Sequence, residues 1–451
     1  MIFSKVQPKM QTQTSHRILI VGGGAGGLEL ATQLGRKLGK PGTAHITLVD
    51  RNATHIWKPM LHEVAAGSMD PYIHQVQYAA QAHWNHFQFE QGEFVALDRE
   101  ARTITLAPLV FSDSGEDVAL LPERTLPYDT LVLAIGSTTN FFNVEGAEQH
   151  ALALDTVAQA ERFRRLLISA LVRAPAKAQH NARPLVRVAI IGGGATGVEL
   201  AAELRTTASE LRDFGVHKLD PWQDVTITLI EGNARILPAL SERVATATAQ
   251  QLSELGVSIL TGDVVAKVEE NVVQTKGGQY IPTDLTVWAA GIKGPAVLGT
   301  LAGLSVTRSN QIDVHQTLQS KDDPNIFAFG DCAACPWPAT GRLVPPRAQA
   351  ASQQAAFLAK ALPMHMRGEA LPQYVYRDLG SLISLGHWTA VGSLMGGVSG
   401  KSLFIEGLLA RLMYVSLYRK HLMALTGPMH ALLDAIAQRL RKSSTPRIKL
   451  H

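Results

Sequence analysis

The pattern that most limits what this chain can fold into is a short strand, a glycine turn, a helix and a second strand ending in an acid. In residues 16–50, Arg17-Ile-Leu-Ile-Val21 is a β-branched apolar run, the mark of a buried parallel strand. Gly22-Gly-Gly24-Ala25-Gly26-Gly27 follows as G-x-G-x-x-G, then a helix is expected over 28–38 and a strand over Ile46-Thr-Leu-Val-Asp50. Each part has a task when a dinucleotide is bound. Gly22 permits the tight turn, Gly24 lets the backbone approach a pyrophosphate, and Gly27 lets helix and strand pack closely. The helix N-terminus aims amides at phosphate charge. Asp50 would accept hydrogen bonds from a ribose. A lone glycine triplet is weak evidence, but the full strand–turn–helix–strand–acid series is specific.

The same unit returns. Val186–Ile191 reads as a strand, Gly192-Gly-Gly194-Ala-Thr196-Gly197 as the turn, 198–211 as a helix and Val225–Ile230 as a strand ending at Glu231. An insertion over 212–223 lengthens the second connection. Two such units mean two dinucleotides, or one dinucleotide bound twice. An acid closing each second strand favours an unphosphorylated ribose, so a nicotinamide cofactor on the second unit should be NAD(H) rather than NADP(H). The expected fold class is α/β, with two Rossmann-type dinucleotide-binding domains. Leu131-Val-Leu-Ala-Ile-Gly136 and Leu285-Thr-Val-Trp-Ala-Ala-Gly291 match each other as buried strands ending in glycine. Asn325-Ile-Phe-Ala-Phe-Gly330 is a third strand, and Asp331 follows it where ligands gather at the carboxyl ends of an open sheet.

Charge is segregated along the chain. The 451 residues carry a net +4. Residues 401–451 hold nine Lys/Arg against two acids, which is +7, and residues 1–400 hold 33 basic against 36 acidic, which is −3. In the tail Met429, Leu432, Leu433, Ile436, Ala437 and Leu440 recur at helical spacing after Pro428, with Arg439, Arg441 and Lys442 on the other face. Such a helix suits an anionic lipid surface, where each basic residue contributes about 1 kcal/mol. Core packing with a homodimer interface is the competing reading. Nucleic-acid binding fits poorly, because basic and apolar residues alternate. The segment 379–400 is free of charged residues but contains six glycines, which points to strands and turns rather than a spanning helix. No signal peptide is read before Arg17.

Two cysteines cannot build a disulfide framework. Cys332 and Cys335 form a C-x-x-C, read either as a redox dithiol or as two small buried residues. A metal site is not expected: a zinc site needs four ligands, and the His83/His86 pair has no evident third. Gln349 and Gln353 lie at i, i+4 on one face of a helix that starts after Pro345-Pro346. They read either as carbonyl-binding amides or as a solvent-exposed polar stripe.

Together, the two glycine units, Gly330-Asp331, Ala348-Gln349-x-Ala351-x-Gln353 and the basic amphipathic tail resemble the type II NADH dehydrogenases, non-pumping NADH:quinone oxidoreductases. The likeness covers nearly the whole chain and is close to the enterobacterial form, including His55-Ile-Trp57-Lys58-Pro59 and the 446–451 terminus. It implies FAD on the first unit, with Gly22, Gly24, Ala25, Gly26, Gly27, Asp50, Lys58, Gly136, Asp331, Ala348 and Gln349 as contacts. It implies NADH on the second, with Gly192, Gly194, Thr196, Gly197, Glu231 and Gly291. Glu199 matches a glutamate near nicotinamide and flavin, and Gln349 and Gln353 match the pair on the quinone side. These three are the expected catalytic residues, and hydride passes from NADH to FAD before a membrane quinone is reduced. The implied division is 1–150 and 293–375 for FAD, 151–292 for NADH and 376–451 for C-terminal strands and membrane-associating helices. The implied location is peripheral, on the cytoplasmic face of the inner (plasma) membrane. A sulfide:quinone or disulfide-type reductase, a soluble ferredoxin-type reductase and an NADH-sensing flavoprotein are the alternatives.

Overall fold

The computed structural model describes residues 15–113, 116–178, 185–213, 220–301, 303–386, 389–395 and 402–442. The reading of residues before Arg17, the centre of the 212–223 insertion and the 446–451 terminus therefore fall wholly or largely outside the described residues.

The first glycine unit opens a five-stranded parallel sheet. Its strands are β1 (His16–Val21), β2 (Ala44–Asp50), β3 (Gln88–Gln91), β4 (Thr130–Leu133) and β10 (Ile326–Ala328). They lie in the order β10-β4-β1-β2-β3. The second unit forms another five-stranded parallel sheet from β5 (Leu152–Ala153), β6 (Val186–Ile191), β7 (Val225–Glu231), β8 (Val257–Thr261) and β9 (Leu285–Trp288). Its order is β5-β9-β6-β7-β8, the same plan. In each sheet the glycine loop leaves the central strand at the point where the strand order turns back, which is where an open sheet offers a crevice.

Helix α1 (Ala25–Leu34) follows the first loop. Leu28, Leu30, Ala31 and Leu34 are fully buried, each leucine contributing roughly 1.5–3 kcal/mol. The helix is apolar on nearly every side because it lies between the sheet and helix α4 (Ala348–Met366). Glu29 and Thr32 are the buried polar exceptions. Where the sequence suggests one helix over 28–38, α1 starts at the loop itself and ends at Leu34 in a π-turn over Gly35–Gly39. Gly35 and Gly39 allow that turn: a Cβ on either would lie 2.1 or 2.0 Å from the carbonyls of Asn85 and His86.

Helix α2 (Leu61–Ala66) packs with helix α3 (Ala195–Asp213), which follows the second loop. The glycine-rich 379–400 region is strand and turn within its described part. Strands β11 (Gly380–Ser384), β12 (Ala390–Met395) and β13 (Ser402–Glu406) form an antiparallel sheet. Helices α5 (Gly407–Thr426) and α6 (Pro428–Lys442) complete the described residues. Among the described residues, no helix is long and apolar enough to cross a membrane.

Candidate functional site

The two glycine loops have nearly the same geometry. Gly22 and Gly192 have φ of +102° and +111°, which only glycine adopts cheaply, and a Cβ on either would strike the backbone of the neighbouring strand. A Cβ on Gly27 would fall 1.8 Å from the Gly22 carbonyl, and on Gly197 2.0 Å from the Gly192 carbonyl. These glycines close each loop. Gly24 and Gly194 differ: a Cβ there meets nothing within 4 Å. The open side lies at the N-termini of α1 and α3, where backbone amides favour a phosphate. Both loops thus leave the cradle that a pyrophosphate requires. Ala25 is part-exposed and Thr196 exposed in the first turns of those helices, whereas Gly26 is shut in, its Cβ position 2.5 Å from the Phe329 ring.

Each second-strand acid reaches its loop. Asp50 accepts the Gly23 amide at 2.7 Å and the Asn52 amide at 2.8 Å. Glu231 accepts the Gly193 amide at 2.7 Å and the Asn233 amide at 2.8 Å. The acids therefore hold the loops from the ends of the second strands.

At the carboxyl ends of β4 and β10, the expected contacts Asp331 and Lys58 meet through Ser137, which was not among the expected site residues. The Ser137 hydroxyl donates to Asp331 at 3.0 Å, and Lys58 Nζ donates to the Ser137 carbonyl at 2.9 Å. Burial raises the Asp331 carboxyl above its ordinary value, opposed by Ser137 and the Lys58 charge. Gly136 and Gly291 take matching left-handed conformations, φ +70° and +66°, just beyond β4 and β9. Cys332 and Cys335 are free thiols, both buried. Cys332 Sγ donates to the Phe329 carbonyl at 3.2 Å, and burial pushes the two thiols up to about 11 and about 12. A thiol so protonated is a poor nucleophile, which favours the structural reading of the pair. Among the described residues, no group of three or more side chains could hold a metal ion.

Glu199 lies buried on α3. It accepts the Ser384 amide of β11 at 3.0 Å, and its other oxygen is 3.7 Å from His62 Nδ1 of α2. The Tyr414 hydroxyl also bonds to it, and Arg411 donates to Ser384 Oγ at 2.6 Å. Burial pushes Glu199 up to about 8, with Glu63 adding to the rise and Ser384, Tyr414 and Arg411 opposing it. Burial pushes His62 down to about 4. At pH 7 this is therefore a neutral acid beside a neutral imidazole, not an ion pair. His62, Ser384, Arg411 and Tyr414 were not among the expected site residues. The available signal was weak: two glutamates, Glu199 and Glu203, four apart on a helix.

Gln349 and Gln353 do share one face of α4, but both are engaged. Gln349 donates to the Gly380 carbonyl at 2.9 Å and accepts the Leu379 amide at 3.1 Å. Gln353 donates to the Arg377 carbonyl at 2.8 Å and accepts the Arg377 amide at 3.1 Å. Each side-chain amide pairs with the backbone as a peptide group would. They are therefore not a free solvent stripe; they clamp the segment that leads into β11 and Ser384. Ala348, the first residue of α4, is part-buried beside them.

The pyridine nucleotide-disulphide oxidoreductase family model matches residues 16–355. A type II NADH:quinone oxidoreductase of Haemophilus influenzae is 41% identical over 446 residues, covering 96% of this chain and 99% of that protein. One of Staphylococcus aureus is 28% identical over 86% of this chain and 92% of its own. Among solved structures, NDH2 of Plasmodium falciparum in complex with NADH superposes with a TM-score of 0.78 at 19% identity, covering 96% of this chain and all of that one. The sulfide:quinone oxidoreductase of Aquifex aeolicus gives 0.71 at 19% identity, covering 92% of each. The shared strand plan, the paired loops and a relative this similar over nearly its full length lead to one conclusion: the chain belongs to the pyridine nucleotide-disulphide oxidoreductases and, within them, to the type II NADH:quinone oxidoreductases.

Proposed function

We propose that this chain oxidises NADH and reduces a quinone dissolved in the membrane, with FAD on the first loop and NADH on the second. The observation that carries the reading is the pair of open glycine cradles, each with a second-strand carboxylate in reach. FAD, when bound, supplies the two-electron redox chemistry. Gly22, Gly24 and Gly27 would shape the loop for its pyrophosphate, and Asp50 would take the adenosine ribose. Asp331, buried at the sheet's carboxyl edge and supported by Ser137 and Lys58, would take the ribityl hydroxyls. Gly192, Gly194 and Gly197 would shape the second loop for NADH. Glu231 would take its ribose and repel a 2′-phosphate. Glu199 holds its proton at neutral pH in a site shielded from water, so it can deliver one where a quinone is reduced. Gln349 and Gln353 fix the strand that carries its Ser384 contact.

Helix α5 supports a lipid surface. Its buried stripe is Ala410, Tyr414, Tyr418, His421 and Leu425, and its exposed face carries Leu408, Leu409, Leu412, Leu417 and Met423. The ring-bearing polar residues turn inward, and four of the six leucines turn outward. Met429, Leu432, Leu433 and Ile436 continue the exposed apolar face on α6. Bare apolar patches of this kind mark an interaction surface, and the tail's positive charge favours an anionic leaflet over a second copy of the chain. The protein would then sit peripherally on the cytoplasmic face of the plasma membrane.

The test is the absorption spectrum of the purified protein during anaerobic addition of NADH and then of a short-chain quinone. A flavin band that bleaches with NADH and recovers with quinone is expected. A protein with no flavin band, or one that NADH leaves unchanged, refutes the reading.

A further inference from the structure

The first loop is held differently from its counterpart. In both units the amide of the second glycine donates to the strand acid. The Gly193 carbonyl accepts the Leu237 amide at 2.7 Å, a bond within its own unit. The Gly23 carbonyl instead accepts two side chains, the Tyr78 hydroxyl at 2.7 Å and His55 Nδ1 at 2.9 Å. The contacts continue inward. His55 Nε2 lies 2.9 Å from His421 Nε2 on α5, and His421 Nδ1 lies 3.1 Å from Glu29 Oε1 on α1. Ser352 of α4 donates to Glu29 Oε2 at 2.7 Å. His55, His421 and Glu29 are all buried, and Trp57 lies nearly parallel to the His421 ring at 5.9 Å.

Hydrogen counting orders this chain. A carbonyl only accepts, so His55 Nδ1 carries a hydrogen. Burial and the neighbouring histidine keep His55 from taking a second, so its Nε2 accepts. His421 Nε2 must then donate to it, and His421 Nδ1 faces the Glu29 carboxyl. Every donor has an acceptor only when all members are in place. The effect on the loop follows from peptide planarity: in a trans peptide the Gly23 carbonyl and the Gly24 N–H point in opposite directions. Gripping one from inside aims the other outward, at the open side of the cradle.

We propose that His421 is a positioning residue for FAD, acting through His55 on the Gly23 carbonyl, so that docking of the tail helix α5 and order in the FAD loop are one equilibrium. This rests on the assignment of FAD to the first loop. Linkage is reciprocal: whatever factor a docked α5 adds to FAD affinity, bound FAD adds to the docking of α5. The Gly193 carbonyl has no such tie to α5, whose link to the second unit runs through Tyr414 to Glu199 and is left in place by changes at His421 and His55, so NADH binding serves as an internal control.

The experiment measures FAD release from the holoenzyme by the rise of flavin fluorescence after dilution, with NADH affinity measured in parallel. His421→Ala is expected to speed release at least tenfold and to move the NADH Kd less than twofold. His55→Ala should do the same, and the double variant should be no worse than either, because the two act in series. Tyr78→Phe, an independent grip on the same carbonyl, should multiply the effect. His421→Gln, which can still donate to His55, should recover part of the loss, as simple loss of packing would not. Unchanged release in His421→Ala, or a double variant that loses the product of the two singles, overturns the proposal. If the alanine variants do not fold, hydrogen exchange on the wild type decides: residues 414–425 are expected to exchange more slowly with FAD than after FAD is stripped, and equal exchange overturns it. Gly24→Ala and Gly194→Ala separate the two claims. FAD loss on Gly194→Ala with none on Gly24→Ala would overturn the loop assignment itself.

Discussion

Replacing Glu199 with glutamine removes one titrating proton from a place that water does not reach. In the folded chain burial keeps that proton on the carboxyl up to about pH 8, whereas the ordinary value is 4.5. Between those two values the folded state holds a proton that the unfolded state has released, so stability falls as pH rises. The contribution is fully present below pH 4.5 and is lost by the time pH passes 8. At about 1.4 kcal/mol per pH unit, the total is about 5 kcal/mol. Glutamine keeps the shape and the acceptor for Ser384 but does not titrate, so the variant escapes this loss. Relative to wild type it should gain about 1 kcal/mol at pH 5 and about 5 kcal/mol at pH 9. Unfolding entropy is about 2 cal/mol/K per residue, so the melting-temperature difference should widen by roughly 4 °C between those pH values. Differential scanning calorimetry of both proteins across pH 5–9 checks it. A difference that does not change with pH, or a variant less stable at pH 9, would show that Glu199 is ionised in the fold. Quinone-reduction turnover should fall in the same variant, because the amide has no proton to give.

Gly27→Ala should destabilise the fold by several kcal/mol, about the cost of serious overpacking, because its Cβ has no room. Gly24→Ala should leave the melting temperature of the FAD-free protein within 2 °C while lowering FAD content, and calorimetry with flavin absorbance separates the two effects. Replacing Cys332 and Cys335 together by alanine should leave kcat/KM for NADH within twofold in steady-state assays; a tenfold loss would restore the dithiol reading. Leu432→Glu with Leu433→Glu should abolish sedimentation with anionic vesicles and leave FAD bound. This is a cleaner test than truncation near residue 401, which would also remove β13 and His421.

What was legible in the sequence was local. Gly22, Gly24 and Gly27 are spaced by the geometry of a single turn, and Asp50 and Glu231 end strands whose apolar runs are unmistakable. Gln349 and Gln353 show their shared face through i, i+4 spacing, but their partners are backbone groups at 377–380, which no side-chain pattern encodes. The surroundings of Glu199 were illegible for the same reason. Ser384 lies 185 residues from it and reaches it through a main-chain amide. His55 and His421 are 366 residues apart, and each alone is an ordinary histidine. Such contacts are made by tertiary packing, and they leave no periodicity behind.

The strand order also sets a timetable for synthesis. All five strands of the second sheet lie between residues 152 and 288, so that sheet can close as soon as its stretch has left the ribosome. The first sheet cannot. Strand β4 is made by residue 133, yet its outer neighbour β10 ends at residue 328, almost 200 residues later. At about 5–20 residues per second, β4 presents an open edge for roughly 10–40 s. A nascent chain therefore carries a complete second sheet beside an incomplete first one while residues 289–328 are made, and His421 emerges later still. An interrupted chain stopping before residue 326 would leave the outer edge of β4 exposed as a sticky parallel edge.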